Sequence, residues 1–390
     1  MSGSGGVPYR RLFGLPGVPA QALLGFLAQL TQQVAPVGIV LVVSYSGGSL
    51  ALAGLIAAAF GVGAGMGRPV QGRFMDLRGT RPVLDFTALT HVAALVALVV
   101  GAGNWPWWTI VALAWIAGLG LPPISVSMRV EWGRRMADEG RTTAYSLVYL
   151  VQELAMLVGP LLFGLLVAVA SASLSLGAVA VATGAGTVAF SRALRVSVAP
   201  AARGRGRVSW DLRMVVLMVV VLLVGGTLGA LQVGIPALAA ARDLPAATGL
   251  LVAALSLGGI TGAAVYGARS WRAGVEARLV GLLLVLGVVL APLVLVEAWP
   301  LLWLGLFAGG TVFTPLLTTM SLLVDEIAPD APAEAFGWVS TALGVGAAAG
   351  SGAAGVVGER FGPSAPFLAG AAFALMGAGL ATILRKRRRT

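Results

Sequence analysis

The chain has no cysteine and a single histidine, His91. The first absence removes disulfide frameworks, cysteine-ligated metals and thiol nucleophiles, and the second leaves little for histidine-based metal or acid–base chemistry. Charge is scarce as well: 11% of the 390 residues are charged and 58% are hydrophobic, with a mean hydropathy of +0.93. A soluble domain of this length needs far more polar surface, so the bilayer is the main solvent. The chain contains no G-x-x-x-x-G-K-[ST] loop, no H-E-x-x-H, no G-x-S-x-G and no acidic pair at membrane depth. These gaps argue against a nucleotide-driven pump and against a membrane-embedded enzyme, and no cofactor is expected. Lysine is nearly missing too, since Lys386 is the one lysine among 26 basic residues. Together with abundant Ala and Gly, that bias fits a high-GC bacterial genome.

What the chain does have is long apolar runs. A helix needs roughly 20 apolar residues to cross the hydrocarbon core. Twelve segments qualify: 19–43, 49–67, 82–102, 107–128, 143–170, 173–191, 214–240, 247–266, 279–296, 300–323, 335–357 and 363–384. The runs are continuous rather than alternating, which excludes a barrel. Arg10 and Arg11 before the first run resemble a twin-arginine signal only faintly, because that run exceeds a signal-peptide core and ends in no cleavage site.

The loops fix an orientation. The odd-numbered loops are short and nearly free of basic residues. Counted this way, only Arg242 and Arg360 fall on their side, and the other 24 basic residues fall on the opposite one. The positive-inside rule then places both termini in the cytoplasm of a bacterial cell membrane. The net charge of +11 becomes an orientation signal and an attraction to anionic lipid, not a nucleic-acid surface. The expected division is a cytoplasmic N-terminal segment 1–18, a six-helix half 19–191, a basic cytoplasmic linker 192–213, a second half 214–384 and a basic cytoplasmic tail 385–390.

The halves repeat one another. Gly54 to Gly72 in helix two and Gly249 to Gly267 in helix eight both span eighteen residues, with Gly63/Gly258, Gly67/Gly262 and Val70/Val265 in register. Ala144, Gly159 and Gly164 in helix five match Ala335, Gly350 and Gly355 in helix eleven. Parallel six-helix repeats are the plan of one large transporter group.

After helix two, Gly72-Arg73-Phe74-Met75-Asp76-Leu77-Arg78-Gly79-Thr80-Arg81 resembles motif A of the major facilitator superfamily, G-x-x-x-D-[RK]-x-G-[RK]-[RK]. Gly72, Asp76, Gly79 and Arg81 match, while Leu77 stands at a usually basic position and Arg78 follows it. In the second half Gly267 remains, but Trp271 replaces the aspartate. The resemblance implies a twelve-helix, all-α membrane transporter of the efflux type, working as a monomer by alternating access. It also implies that Asp76 faces the start of helix eleven as a conformational latch, where a helix N-terminus favours its charge. Arg78 and Arg81 are then expected to pair with Glu131 or Asp138. The alternative is a topological turn with solvated charges.

Helix five carries Ala155-x-x-x-Gly159-Pro160-x-x-x-Gly164, a partial match to the exporter motif C. Small residues there would let helices five and eight pack closely around a bend at Pro160. The helix-four arginine of motif B is missing, with Ala114 in its place.

Ionisable residues deep in a bilayer are costly and point to function. Glu153, about 15 Å into helix five, is the expected proton-coupling group, because a carboxyl can cross apolar surroundings as the neutral acid. Its repeat mate is Gly344. His91 is a second titratable candidate, balanced against a neutral, packed ring. Gln21, Gln29, Gln32 and Gln33 share one face of helix one, where Pro36 is expected to interrupt the helix, and Gln232 stands at the similar place in helix seven. By the resemblance, these glutamines with Trp115, Phe313, Thr314, Thr318 and Thr319 line a central cavity. Such a cavity suits an amphipathic, neutral or weakly charged small molecule, with protons as the coupling ion. Uptake of a sugar or other metabolite and a non-transporting sensor on the same scaffold are the alternatives.

Overall fold

The computed structural model describes residues 8–136, 138–195, 207–244 and 247–386. Among the described residues every regular element is helical, and twelve helices are long and apolar enough to cross a membrane. They are numbered here as spans 1 to 12: Val18–Tyr45, Leu50–Arg78, Thr80–Gly101, Trp107–Arg135, Gly140–Val169, Ala172–Ala193, Leu212–Ala241, Ala247–Gly267, Val275–Leu295, Trp299–Ile327, Pro332–Phe361 and Ala365–Leu384. Side-chain oxygens start several of them. Ser49 accepts from Leu52 N, Ser171 from Leu174 N and Asp211 from Met214 N, at 3.2, 3.2 and 2.9 Å, satisfying donors that a helix start leaves free. Span 2 ends and span 3 begins at Gly79, whose φ of 88° suits glycine alone. The linker residues 196–206, the tail residues 387–390 and the side chain of Asp138 lie outside the described residues.

Two spans are broken. Span 1 divides at Gln29, between Val18–Ala28 and Leu30–Tyr45. Pro36, where the break was expected, sits inside the second segment. Span 4 divides at Gly120 to Pro123, between Trp107–Leu119 and Ile124–Arg135, because consecutive prolines supply no N–H. Gln71 of span 2 satisfies the carbonyls left at that break, donating to Leu119 O at 2.6 Å and Leu121 O at 3.1 Å.

The repeat read in the sequence is also a repeat of packing. A Cβ on Gly63 would overlap the Trp115 carbonyl, and one on Gly67 would lie 2.7 Å from the Leu119 carbonyl, so span 2 lies directly on span 4. In the other half Gly258 meets the Phe307 carbonyl and Gly262 the Thr311 carbonyl, so span 8 lies on span 10 in the same way. Gly118 and Gly310 close these contacts from the opposite side, against Phe60 and Leu255. Small residues permit this approach where lipid gives no hydrophobic drive between helices.

The halves meet along two seams, span 2 with span 11 and span 5 with spans 8 and 10. Among the described residues, the side-chain hydrogen bonds across them, from Asp76, Arg73, Thr341, Thr143, Tyr145, Ser146, Tyr149 and Glu153, lie between mid-depth and the face carrying the even-numbered loops. That face, here the arginine-rich face, is therefore closed. Toward the other face, span 5 exposes Leu161, Leu162 and Leu165, and Gly164, Gly344 and Gly355 stand in open space.

Candidate functional site

The first seam is built around Asp76. Its carboxylate accepts the backbone N–H of Ala333 at 3.3 Å and of Glu334 at 2.9 Å, at the start of span 11. Pro332 opens that helix, so the next N–H groups are among the donors that no helical carbonyl can reach. A negative charge on them also meets the positive end of the helix dipole. Gly72 allows the approach, since a Cβ there would overlap the Ala333 carbonyl. Arg73 pairs with Glu334 at 3.4 Å, and Thr341 donates to Gly65 O at 2.6 Å further in. The arginines expected to meet Glu131 have other partners: Arg78 is exposed over the Phe74 ring at 5.3 Å, and Arg81 donates to the Leu194 carbonyl. Glu131 pairs with Arg135 at 3.6 Å and accepts from Arg195 N at 3.2 Å. Among the described residues, the turn reaches an acid of the other half through Arg73 and Glu334.

The second seam is built from hydroxyls and one carboxyl. Thr143 donates to Gly267 O at 2.7 Å, Ser146 meets Thr318 at 3.5 Å, and Tyr149 meets Ser321 at 2.9 Å. Tyr145 donates to Asp325. Glu153, near the midpoint of span 5, accepts from Thr314 at 3.2 Å and bonds Ser256 of span 8. Gly259 makes room for its carboxyl, 2.9 Å from where a Cβ would stand. Glu153 therefore bridges both halves at mid-membrane.

The residues expected around a central cavity separate into two groups. Gln32, Gln33, Trp115 and Gln232 keep part of their surface free. Gln29 is buried, donating to Gly25 O at 2.9 Å. Phe313, Thr314, Thr318 and Thr319 are buried as well. Thr314 and Thr318 belong to the seam, and Thr319 bonds Tyr266 at 2.7 Å. Gln21 is a packing residue, bonded to Trp132 Nε1 and Ala193 O at 2.7 and 2.8 Å.

His91 is fully buried in span 3, with Nδ1 2.7 Å from Ala117 O and its ring 6.2 Å from that of Phe60. Nδ1 must carry the proton to serve that carbonyl. Gly159 faces span 1, not span 8: a Cβ there would lie 3.4 Å from Gln33 and 3.6 Å from Val34. A Cβ on Gly164 would meet nothing within 4 Å, and Pro160 sits exposed inside an unbroken helix. The close contact of spans 5 and 8 comes instead from Gly259 and Gly267 of span 8.

The sequence reading missed two residues by counting them with the loop arginines. Arg68 lies in span 2, ten residues or about 15 Å from its end. It donates to Gln32 Oε1 at 3.0 Å and reaches Pro122 O at 3.5 Å. Arg129 lies in span 4, between the Tyr149 and Phe336 rings at 4.6 and 5.3 Å. Both are buried.

Twelve spans in two packed repeats, drawn together toward one face by polar seams, define a membrane transporter that binds a small molecule among its helices. The chain belongs to the Major Facilitator Superfamily, whose sequence model matches residues 22–331. No curated protein matches it significantly. Among solved structures it is similar to the human organic anion transporter MFSD10 (TETRAN), with a TM-score of 0.74 and 18% identity over 93% of this chain and 98% of that one. It is also similar to a bacterial homologue of the iron transporter ferroportin in the outward-facing state, with a TM-score of 0.74 and 16% identity over 94% of this chain and 99% of that one. The iron-soaked form of that homologue gives 0.72, 17%, 94% and 97%. At these identities the likeness is one of fold.

Proposed function

We propose that the protein is a proton-coupled exporter of a small amphipathic molecule, a drug or secondary metabolite, in a bacterial cytoplasmic membrane. Both termini are cytoplasmic, in keeping with the arginine-rich loops. On that orientation the closed face is the inner one, and the molecule stands outward-facing with its latch engaged. Asp76 on the start of span 11 holds this state, and its release opens the path from the cytoplasm.

The observation that carries the reading is the position of Glu153. Its carboxyl bonds Thr314 and Ser256, on two helices of the opposite half. Protonation state and closure of the seam are therefore linked: a neutral acid crosses the closed, dry seam cheaply, and a carboxylate needs a wet one. That linkage is what coupling a proton to alternating access requires. Export is favoured by the partial motif C around Pro160. A metal cation fits poorly as cargo, since among the described residues no three His, Cys, Asp or Glu side chains group together.

The test is Glu153→Gln in proteoliposomes. The variant keeps the shape and most hydrogen bonding but cannot titrate. Uphill transport driven by a pH gradient is expected to vanish while counterflow survives. Full uphill transport by the variant overturns proton coupling at Glu153 and shifts attention to His91 or to another coupling ion. Right-side-out and inverted vesicles separate export from uptake. Reporter fusions after Arg385 and near Arg205 test the orientation, and an external reading at either site overturns it.

A further inference from the structure

The expectation of a neutral or weakly charged cargo rested on a cavity of amides, hydroxyls and aromatics with one buried carboxyl. Arg68 and Arg129 change that premise. They are 8% and 4% exposed; among the described residues Arg68 faces no carboxylate, and Arg129 makes no direct salt bridge but shares a cavity with Asp325. Arg68 is held by an amide oxygen and a distant carbonyl. Arg129 reaches Gln152 Oε1 at 3.4 Å, and its buried Nε has no partner. Asp325, which shares a cavity of about 140 Å³ with Arg129, Arg134 and Arg141, accepts the Tyr145 hydroxyl and offsets part of the positive charge of these three arginines, so Arg68 is the cation left without an opposite charge.

An unpaired cation in a low-dielectric interior is costly, and such residues in membrane proteins mark paths for ligands of opposite charge. The fold does not ask for them. The register that pairs Gly67 with Gly262 sets Ala263 opposite Arg68, and the one that pairs Gly118 with Gly310 sets Ser321 opposite Arg129. Their positions also form a sequence. Arg129 is covered by Tyr149 of span 5 and Phe336 of span 11, which part when the two seams open. Arg68 lies deeper in the membrane, bonded to the half-buried Gln32 of span 1.

We propose that the cargo is an organic anion whose carboxylate, sulfonate or phosphate group is received by Arg129 and then by Arg68. This rests on the transport reading above and names its substrate class. Gln152 and Gln32 hold the guanidiniums between cycles, each offering one neutral oxygen where the cargo offers charged ones. Charge-assisted, bidentate bonds to an anion are stronger than those to an amide, so the cargo displaces the glutamines and not the reverse.

The test uses two xanthene dyes of similar size, anionic carboxyfluorescein and cationic rhodamine 123, in proteoliposomes. Saturable carboxyfluorescein flux is expected. Arg68→Gln should raise its KM about ten-fold or more, the scale of one lost charge-assisted hydrogen bond, and Arg68→Lys should recover part of that loss. Removing an unpaired buried charge should leave the unfolding temperature of purified Arg68→Gln equal to or above that of the wild type. An arginine that served only to brace Gln32 and the span 4 break would lower it. Preference for rhodamine 123 overturns the anion inference and leaves transport standing. Neither dye crossing faster than in protein-free vesicles counts against both readings. Unchanged carboxyfluorescein KM in Arg68→Gln, or a lowered unfolding temperature with KM intact, overturns the role given to Arg68.

Discussion

Spans 5 and 11 are repeat mates, yet they are held in opposite ways. Span 11 is gripped by backbone. Gly346 and Gly350 bring it onto the Leu222 and Gly226 carbonyls of span 7, and Asp76 caps its first turn. Span 5 is held by side chains. Gly159 touches span 1 at ordinary van der Waals distance, its first turns cross the seam through Thr143, Ser146 and Tyr149, and Glu153 stands where span 11 has Gly344. One seam is therefore fastened by a carboxylate on fixed backbone donors, and the other by a carboxyl whose hydroxyl partners tolerate either protonation state. The repeat supplies the scaffold, and the departures from it carry the chemistry.

Several substitutions break or sharpen this contrast. The largest effect is expected from Gly72→Val, whose side chain would occupy the place of the Ala333 carbonyl and keep the span 2–span 11 seam from closing. Flux should fall to that of protein-free vesicles with the protein still present in the membrane, whereas Gly344→Ala, in open space, should transport within about two-fold of wild type. Wild-type flux in Gly72→Val would show that the seam need not close.

Asp76→Asn comes next. It keeps an acceptor but removes the charge at the helix start, an interaction of about 0.3–2 kcal/mol, so uphill flux should drop several-fold with insertion unaffected. An unchanged rate would reduce the turn to a topological device.

Gly350→Ala against Gly159→Ala tests the two grips directly. The first pushes a methyl into the Gly226 backbone, an overpacking cost of about 1–3 kcal/mol, and should lower the unfolding temperature by several degrees. The second should leave it nearly unchanged. Equal effects would mean that spans 5 and 11 are packed alike.

The smallest change is expected from Thr314→Val. It removes one hydroxyl from Glu153, worth about 0.5–1.5 kcal/mol. Proton-driven flux should fall by less than about ten-fold while counterflow persists, and equal losses in both would place Thr314 in cargo passage instead of coupling.

Much of this was legible in the sequence because glycine spacing is a packing instruction. The register of Gly63 and Gly67 with Gly258 and Gly262 returned as the same helix-on-helix contact in both halves. The resemblance of the turn around Asp76 to motif A pointed to span 11, and a helix start offers a carboxylate the free donors that such a contact needs. Arg68 and Arg129 were lost for an equally physical reason. A hydropathy window stops at a charge, so the expected spans ended at residues 67 and 128, immediately before them. The repeat had already carried span 2 on to Gly72, and that register was the signal that Arg68 lies inside. The partner of Gly159 and the burial of Thr314 and Thr318 depend on how the halves dock, which no local pattern encodes. The break at Gln29 in place of Pro36 is a further case, since a proline can ride within a helix when neighbours satisfy the carbonyl it frees.

Tyr9, in the short helix Pro8–Phe13, donates its hydroxyl to the Ala263 carbonyl of span 8 at 2.7 Å, across 254 residues of chain. During synthesis at roughly 5–20 residues per second, Tyr9 waits on the order of 13–50 s for its acceptor to be made. Through that interval the first half sits in the bilayer without this strap at its arginine-rich face, and a chain cut short before span 8 never acquires the clasp. The clasp thus joins one of the earliest parts of the polypeptide to a helix of its second half.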